Sequence, residues 1–304
     1  MSKRTLAILA AIGATTIYGI NHTIAKGVMP NYVQPFGFIM LRVIGASVLF
    51  WIISPFGPKE KIEKKDYLRM LLCAVLGMGL NMLVFFKGLS LSTPINSSVL
   101  ITITPIIVLI LSAILIKEKI TFRKILGIAI GLVGALGLIL YGAEIRQDAP
   151  NIPLGNFLIL MNSVFYGSYL IVAKTLIAKY HPFTFMKWLF TLGIFICLPF
   201  GYQELANIEW ASFPLETIWS IVFVVVGTTF CTYLFNIFAL TQLKASTLSA
   251  FVYVQPLIGI LFAVATGKDS LTTTKIVAAT LVLVGVYLAS KRAPMPKREI
   301  PKSK

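Results

Sequence analysis

Residues 96–134 read NSSVLITITPIIVLILSAILIKEKITFRKILGIAIGLVG: an apolar segment carrying Pro105, a short charged turn, and a second apolar segment. The pattern recurs 151 residues later, where Pro105 falls on Pro256, Lys117 on Lys268, Glu118 on Asp269, Thr121 on Thr272, Lys124 on Lys275 and Gly134 on Gly285. Shared composition would account for matching leucines, but not for these polar, proline and glycine coincidences at one offset. The front of each half repeats more loosely at 147 or 148 residues: Tyr18-Gly19 matches Tyr166-Gly167, Ala25-Lys26 matches Ala173-Lys174, and PFGF from Pro35 matches PFTF from Pro182. An internal repeat speaks to architecture before any local motif does, so the chain reads as two copies of one unit.

What kind of unit follows from composition. Of the 304 residues, 57% are hydrophobic and 12% charged, with a mean hydropathy of +0.87. Soluble domains carry about 25% charged residues, so the chain is expected to be an integral membrane protein. Each crossing needs about 20 apolar residues for about 30 Å of hydrocarbon. The apolar runs and their breaks predict ten helices: about Thr5–Ala25, Val33–Ile53, Tyr67–Phe86, Ile95–Ile116, Phe122–Tyr141, Leu154–Ala173, Pro182–Tyr202, Ile218–Leu240, Ala245–Thr266 and Thr274–Ser290. The first, with its basic start, resembles a signal peptide, but it runs on without a stop and has a counterpart in mid-chain, so it is read as a retained helix. The division is then 1–148 and 149–290 for two five-helix repeats, with 291–304 a basic tail. Because five is odd, the second repeat enters the membrane from the opposite side. The fold class expected is all-α, ten transmembrane helices in two inverted-topology repeats.

A net charge of +16 invites a nucleic-acid reading, but the positions of the charges argue against it. With the N-terminus inside, 21 of the 27 Lys and Arg fall on the cytoplasmic side, and only Lys26, Lys87, Arg146, Lys268 and Lys275 outside. That asymmetry follows the positive-inside rule and places both termini in the cytoplasm, with the protein in the cytoplasmic (inner) membrane of the cell. Cys73, Cys197 and Cys231 lie in apolar runs without paired spacing, which predicts neither a disulfide nor a zinc site.

The two five-helix halves, a proline in the fourth helix of each, and the runs KEKITFRKILGIAIGLVG and GKDSLTTTKIVAATLVLVG resemble the EamA-type transporters of the drug/metabolite transporter superfamily. The chain departs from that pattern at Asp269, where Glu is expected, and at Tyr18, where Trp is common. The resemblance covers residues 5–290 and implies a carrier that exports amino acids or other small metabolites. It further implies a central cavity lined by helices 1–4 and 6–9, with helices 5 and 10 peripheral.

Polar residues inside the spans mark where such a cavity would lie. Arg42 sits at the centre of helix 2, where a charge costs about 2.5–3.5 kcal/mol on insertion scales. No Asp or Glu falls inside any predicted span, so Arg42 is expected to face water, carbonyls freed at a helix break, or an anionic ligand. A guanidinium suits a carboxylate through paired donors, and a structural or snorkelling role is the alternative. Tyr18, Asn21 and His22 on helix 1 and Asn162, Tyr166 and Tyr169 on helix 6 form matching polar faces, read either as cavity walls or as interhelical glue. Asn81 and Phe85, a stripe on helix 8 that includes Thr228, Thr229, Thr232, Tyr233 and Asn236, and Tyr253 with Gln255 on helix 9 complete the set. Pro105 and Pro256 each remove a donor and free a carbonyl one turn back, as hinges or as plain kinks. Gly127 and Gly131 allow close helix packing, within one chain or in a weak homodimer.

No Walker loop, metal cluster or catalytic constellation is legible, so no cofactor and no enzymatic activity is expected. The expected partners are a small-molecule substrate and the lipid bilayer, and not nucleic acid. A secondary transporter or facilitator working by alternating access fits these features. An intramembrane enzyme on lipid and a non-transporting structural membrane protein are the alternatives.

Overall fold

The computed structural model describes residues 1–28, 32–92, 100–140, 151–265 and 272–290, a few side chains among them excepted. Asn96, Asp269 and the basic tail lie outside the described residues, and so does the side chain of His22. All regular structure among the described residues is helical. Hydrocarbon offers the backbone no hydrogen-bond partner, and a helix satisfies its own.

The helices are α1 (Lys3–Val28), α2 (Pro35–Ile53), α3 (Tyr67–Ala74, Val75–Leu80, Asn81–Leu91), α4 (Thr104–Ile116) and α5 (Phe122–Leu140). The second half supplies α6 (Ile152–Ile177), α7 (Pro182–Ala206), α8 (Leu215–Val222, Phe223–Cys231, Thr232–Gln242), α9 (Ala245–Ala250, Phe251–Tyr253, Val254–Ala265) and α10 (Thr273–Ser290). Proline in the first turn of α2, α6 and α7 has no amide hydrogen to lose there. At α6 the Asn151 side chain also accepts the Leu154 amide at 3.1 Å. Among the described residues five helices are long and apolar enough to cross a membrane: those of α2, α3, α6, α7 and α8.

The repeat extends to the irregularities of the backbone. The middle segment of α3, Val75–Leu80, and that of α8, Phe223–Cys231, are both π-wound, 148 residues apart. In α4 the helix breaks at Thr102–Ile103 just before Pro105, and in α9 a 3-10 turn at Phe251–Tyr253 precedes Pro256. The breaks therefore sit where the missing proline donors put them.

Packing exchanges the halves pairwise. α1 packs on α8 and α9, and α6 packs on α3 and α4 in the same manner, while α2 pairs with α7 and α5 with α10. The glycine matched in both copies explains two of these crossings: a Cβ on Gly19 would stand 2.7 Å from Ile258, and one on Gly167 3.1 Å from Leu111. Both like-with-like pairs are antiparallel. Gly37 at the start of α2 meets Glu204 at the end of α7, and Gly127 at the start of α5 meets Ala289 at the end of α10. Gly127, Gly134 and Gly285 bring the α5 and α10 backbones together, so these small residues face their own chain.

Several boundaries differ from expectation. α3 runs to Leu91 and α7 to Ala206, past the predicted ends, because Lys87 and Glu204 are accommodated inside the last helical turns rather than ending them. The statement that no acid lies within a span is corrected accordingly. The Glu204 carboxylate accepts the backbone amides of Phe36 and Gly37 at 2.6 and 2.8 Å, holding the start of α2, where aligned amide dipoles favour negative charge.

Candidate functional site

Arg42 is 8% exposed, in the middle of α2 where that helix faces α8. Its Nε donates to Thr229 Oγ1 at 2.9 Å, and its guanidinium carbon lies 5.6 Å from the centroid of the Phe86 ring. The hydroxyls of Tyr18 and Tyr233 lie within electrostatic range of the guanidinium. A hydrogen bond to a charged donor contributes about 1.5–3 kcal/mol and a desolvated cation–π contact up to about 2 kcal/mol. Together these offset most of the insertion cost. Thr229 and the Phe86 ring are thus the groups of the protein that receive the buried guanidinium. Among the described residues the terminal Nη groups form no hydrogen bond, which leaves the forked face of the guanidinium free.

Thr229 can serve this way because of the π-turn. Wider winding leaves a carbonyl without its usual i+4 amide, and the Thr229 hydroxyl donates to Val224 O, five residues back, at 2.8 Å. The same oxygen then accepts from Arg42. The neighbouring threonines serve α1: Thr228 donates to Asn21 Oδ1 at 2.9 Å, and Tyr18 lies within hydrogen-bonding reach of Thr232. The π-wound segment therefore holds Asn21 and Arg42, and Thr232, directly after it, reaches Tyr18.

Around this group the aromatic side chains converge from both repeats. Tyr166 and Tyr169 on α6 have ring centroids 6.3 Å apart, and Tyr233 on α8 stacks edge-on against Phe190 at 5.1 Å. Tyr18 lies within electrostatic range of Tyr166, Tyr169 and Tyr233. Phe85 stacks edge-on against Phe86 beneath Arg42, at 5.3 Å. Tyr169 is 3% exposed, its hydroxyl has no partner among the described residues, and its ring lies against Gly77 in the α3 π-turn.

Other residues of the expected set stand apart. Asn81 and Asn162 clasp one another's backbones, the first donating to Asn162 O at 3.3 Å and the second to Asn81 O at 2.9 Å, which joins α3 to α6. Tyr253 is wholly buried with its ring against Gly131 of α5, away from Arg42, and its hydroxyl has no partner. Gln255 and Asn236 are half-buried, and the Gln255 carbonyl abuts Gly19. Of the two partners of Arg42, Thr229 belongs to the polar stripe expected on helix 8, whereas Phe86 was not singled out by sequence. The polar stripe on α8 contained the signal for Thr229, but nothing in the pattern paired it with α2.

Two interlocks join the repeats away from this site. At one end the α2–α3 loop meets the α6–α7 turn: Lys179 Nζ binds Asp66 at 2.6 Å and Glu63 at 2.7 Å, Tyr180 donates to Asp66 at 2.7 Å, and the His181 amide donates to Glu60 at 2.8 Å. Hydrogen bonds from Lys179 and Lys65 hold the Glu63 carboxyl below its ordinary range. At the other end the α7–α8 loop meets the α1–α2 turn through Glu204 and through Phe213, whose ring contacts Tyr32 at 5.6 Å and Trp210 at 5.5 Å.

The pattern of the EamA-like transporter family matches residues 5–140 and 153–291. An "uncharacterized transporter" of Archaeoglobus fulgidus is 28% identical over 277 residues, covering 91% of this chain and 96% of its own. The Bacillus subtilis "uncharacterized transporter YyaM" is 23% identical over 289 residues, with 94% of each chain covered. A solved crystal structure 16% identical in sequence superposes with a TM-score of 0.76 over 93% of this chain and 96% of that one, a likeness of fold.

Proposed function

The chain belongs to the EamA-like transporter family, and from that premise we propose that it is a secondary transporter or facilitator that moves amino acids or other small polar metabolites outward by alternating access. Its membrane reading is that of ten spans in two inverted repeats, 1–148 and 149–290, with both termini and the tail in the cytoplasm. Support for the inversion comes from the like helices, α2 with α7 and α5 with α10, which pair antiparallel. The orientation rests on the distribution of Lys and Arg.

The observation that carries the substrate class is the buried Arg42, anchored through Nε with its forked face free and tyrosines from both repeats around it. Such a group takes the carboxylate of a metabolite through two parallel hydrogen bonds. Tyr18, Tyr166, Tyr169 and Tyr233 supply ring faces and hydroxyls to the remainder of the molecule. Rocking one repeat against the other, with the breaks before Pro105 and Pro256 as pivots, would open the site alternately to the two sides. A test is a thermal-stability panel on the purified protein, since a ligand that binds the native state alone stabilises it by mass action. Carboxylate-bearing metabolites raise the unfolding temperature, and their amide or alcohol analogues do not. Equal shifts with both sets, or a shift unchanged in Arg42→Ala, would overturn the assignment.

A further inference from the structure

Glu118 follows α4 and precedes α5, a place where an acid ordinarily caps the following helix. The structure places it elsewhere. Lys117 takes a left-handed conformation (φ 51°), and the amides of Lys117 and Glu118 both return to Ser112 O. This turn directs the Glu118 carboxylate inward, where its side chain is 4% exposed. Oε1 binds Lys124 Nζ at 2.7 Å and accepts the hydroxyl of Ser246, the second residue of α9; Lys124 also donates to Ser246 at 2.8 Å. Lys124 and Ser246 are themselves buried. The other cations facing the carboxylate are Lys244 at 4.0 Å and Lys174, whose ammonium is fixed on the last carbonyls of α8, Leu240 and Leu243. Arg4 lies near Lys124 and donates to Ser290 O. Oε2 is buried and has no hydrogen-bond partner among the described residues.

Lys124 and Glu118 belong to the first repeat, Ser246 to the second. The contact closes the seam between the α4–α5 and α8–α9 turns, at the same end as the Asp66–Lys179 interlock. If the repeats rock as proposed above, this seam must part in one of the two states. We propose that Glu118 is the gate residue of this end: its carboxylate, through Lys124 and Ser246, latches the first turn of α9 onto α4, and release of Ser246 opens the end. A hydrogen-bonded ion pair out of water resists separation, and removing one partner leaves the other buried and uncompensated. One unpartnered oxygen makes the latch incomplete and therefore reversible.

The inference rests on the alternating-access reading but is tested without substrate. Ser112 lies wholly buried on α4, against which the start of α9 packs, and its hydroxyl has no partner among the described residues, so Ser112→Cys places a thiol there with little disturbance. Purified protein in lipid nanodiscs is treated with a water-soluble maleimide, and modification is read for each cysteine by peptide mass spectrometry. Adding Glu118→Gln raises the labelling rate at position 112 about tenfold, and Ser246→Ala about threefold, while Cys73 and Cys197, buried between α3 and α7, stay unlabelled. Labelling at position 112 within twofold of the parent in both variants would overturn the proposal. So would a rise shared equally by Cys73 and Cys197, which would mean general loosening. Neither result bears on the stability panel with carboxylates, so the latch and the transport reading fail separately.

Discussion

The two interlocks join equivalent parts of the repeats with different chemistry. In one, the α2–α3 loop holds the α6–α7 turn through Glu60, Glu63, Asp66, Lys179 and Tyr180; in the other, the α7–α8 loop holds the α1–α2 turn through rings and Glu204. Duplication has kept which segments meet and let the side chains diverge. In the rocking cycle proposed above, one end would close through groups sensitive to charge and pH and the other through ring packing and a helix dipole. The two states would then differ in stability, and the balance could be moved from either end.

The strongest way to break the aromatic end is steric. A Cβ on Gly201 would lie 2.4 Å from Met40 and 2.6 Å from Phe36 O, at the α2–α7 crossing beside Glu204. Gly201→Val is expected to cost about 3 kcal/mol, read as a fall in unfolding temperature in detergent. At the ionic end, Tyr180→Phe deprives the buried Asp66 of a donor and the Glu63 amide of an acceptor. The expected loss is about 2 kcal/mol, and because Lys179 remains, salt should weaken this variant more than the parent. Glu204→Gln keeps hydrogen bonds to the α2 amides but removes the charge, for a loss of about 1 kcal/mol at most.

The smallest effect separates the ends by pH. Glu63, depressed in the folded state by Lys179 and Lys65, contributes stability that is fully present above its unfolded pKa of about 4.3. That contribution is lost as pH falls through the lower folded value. Below about pH 4 the parent should lose stability faster than Glu63→Gln. Parallel acid profiles of the two would contradict the pairing.

Much of this architecture is written in the sequence as repetition. The offset of 151 located both proline breaks, and the matched Gly19 and Gly167 proved to be the crossing points of α1 on α9 and of α6 on α4. The π-turns were hidden because hydrophobic periodicity assumes uniform winding; one extra residue rotates the following face by about 100°. This is why the stripe on α8 revealed polar residues but not which of them reaches Arg42. Contacts between distant segments, such as Arg42 with Thr229, Glu118 with Ser246 and Glu204 with the α2 amides, carry no local signature. Each joins residues more than 120 positions apart. The family's resemblance pointed to a cavity between the repeats, but the turning of Tyr253 onto Gly131, away from Arg42, needed coordinates.

The central claim, that Arg42 receives a substrate carboxylate between the two repeats, is tested most directly by flux. Proteoliposomes are loaded with amino acids and related carboxylates, and efflux is followed for the parent, Arg42→Lys and Arg42→Ala. The account predicts saturable efflux in the parent, a large rise in half-saturation for Arg42→Lys, which keeps charge but loses the fork, and no efflux above empty liposomes for Arg42→Ala. Saturable efflux with unchanged half-saturation and rate in Arg42→Ala would contradict it.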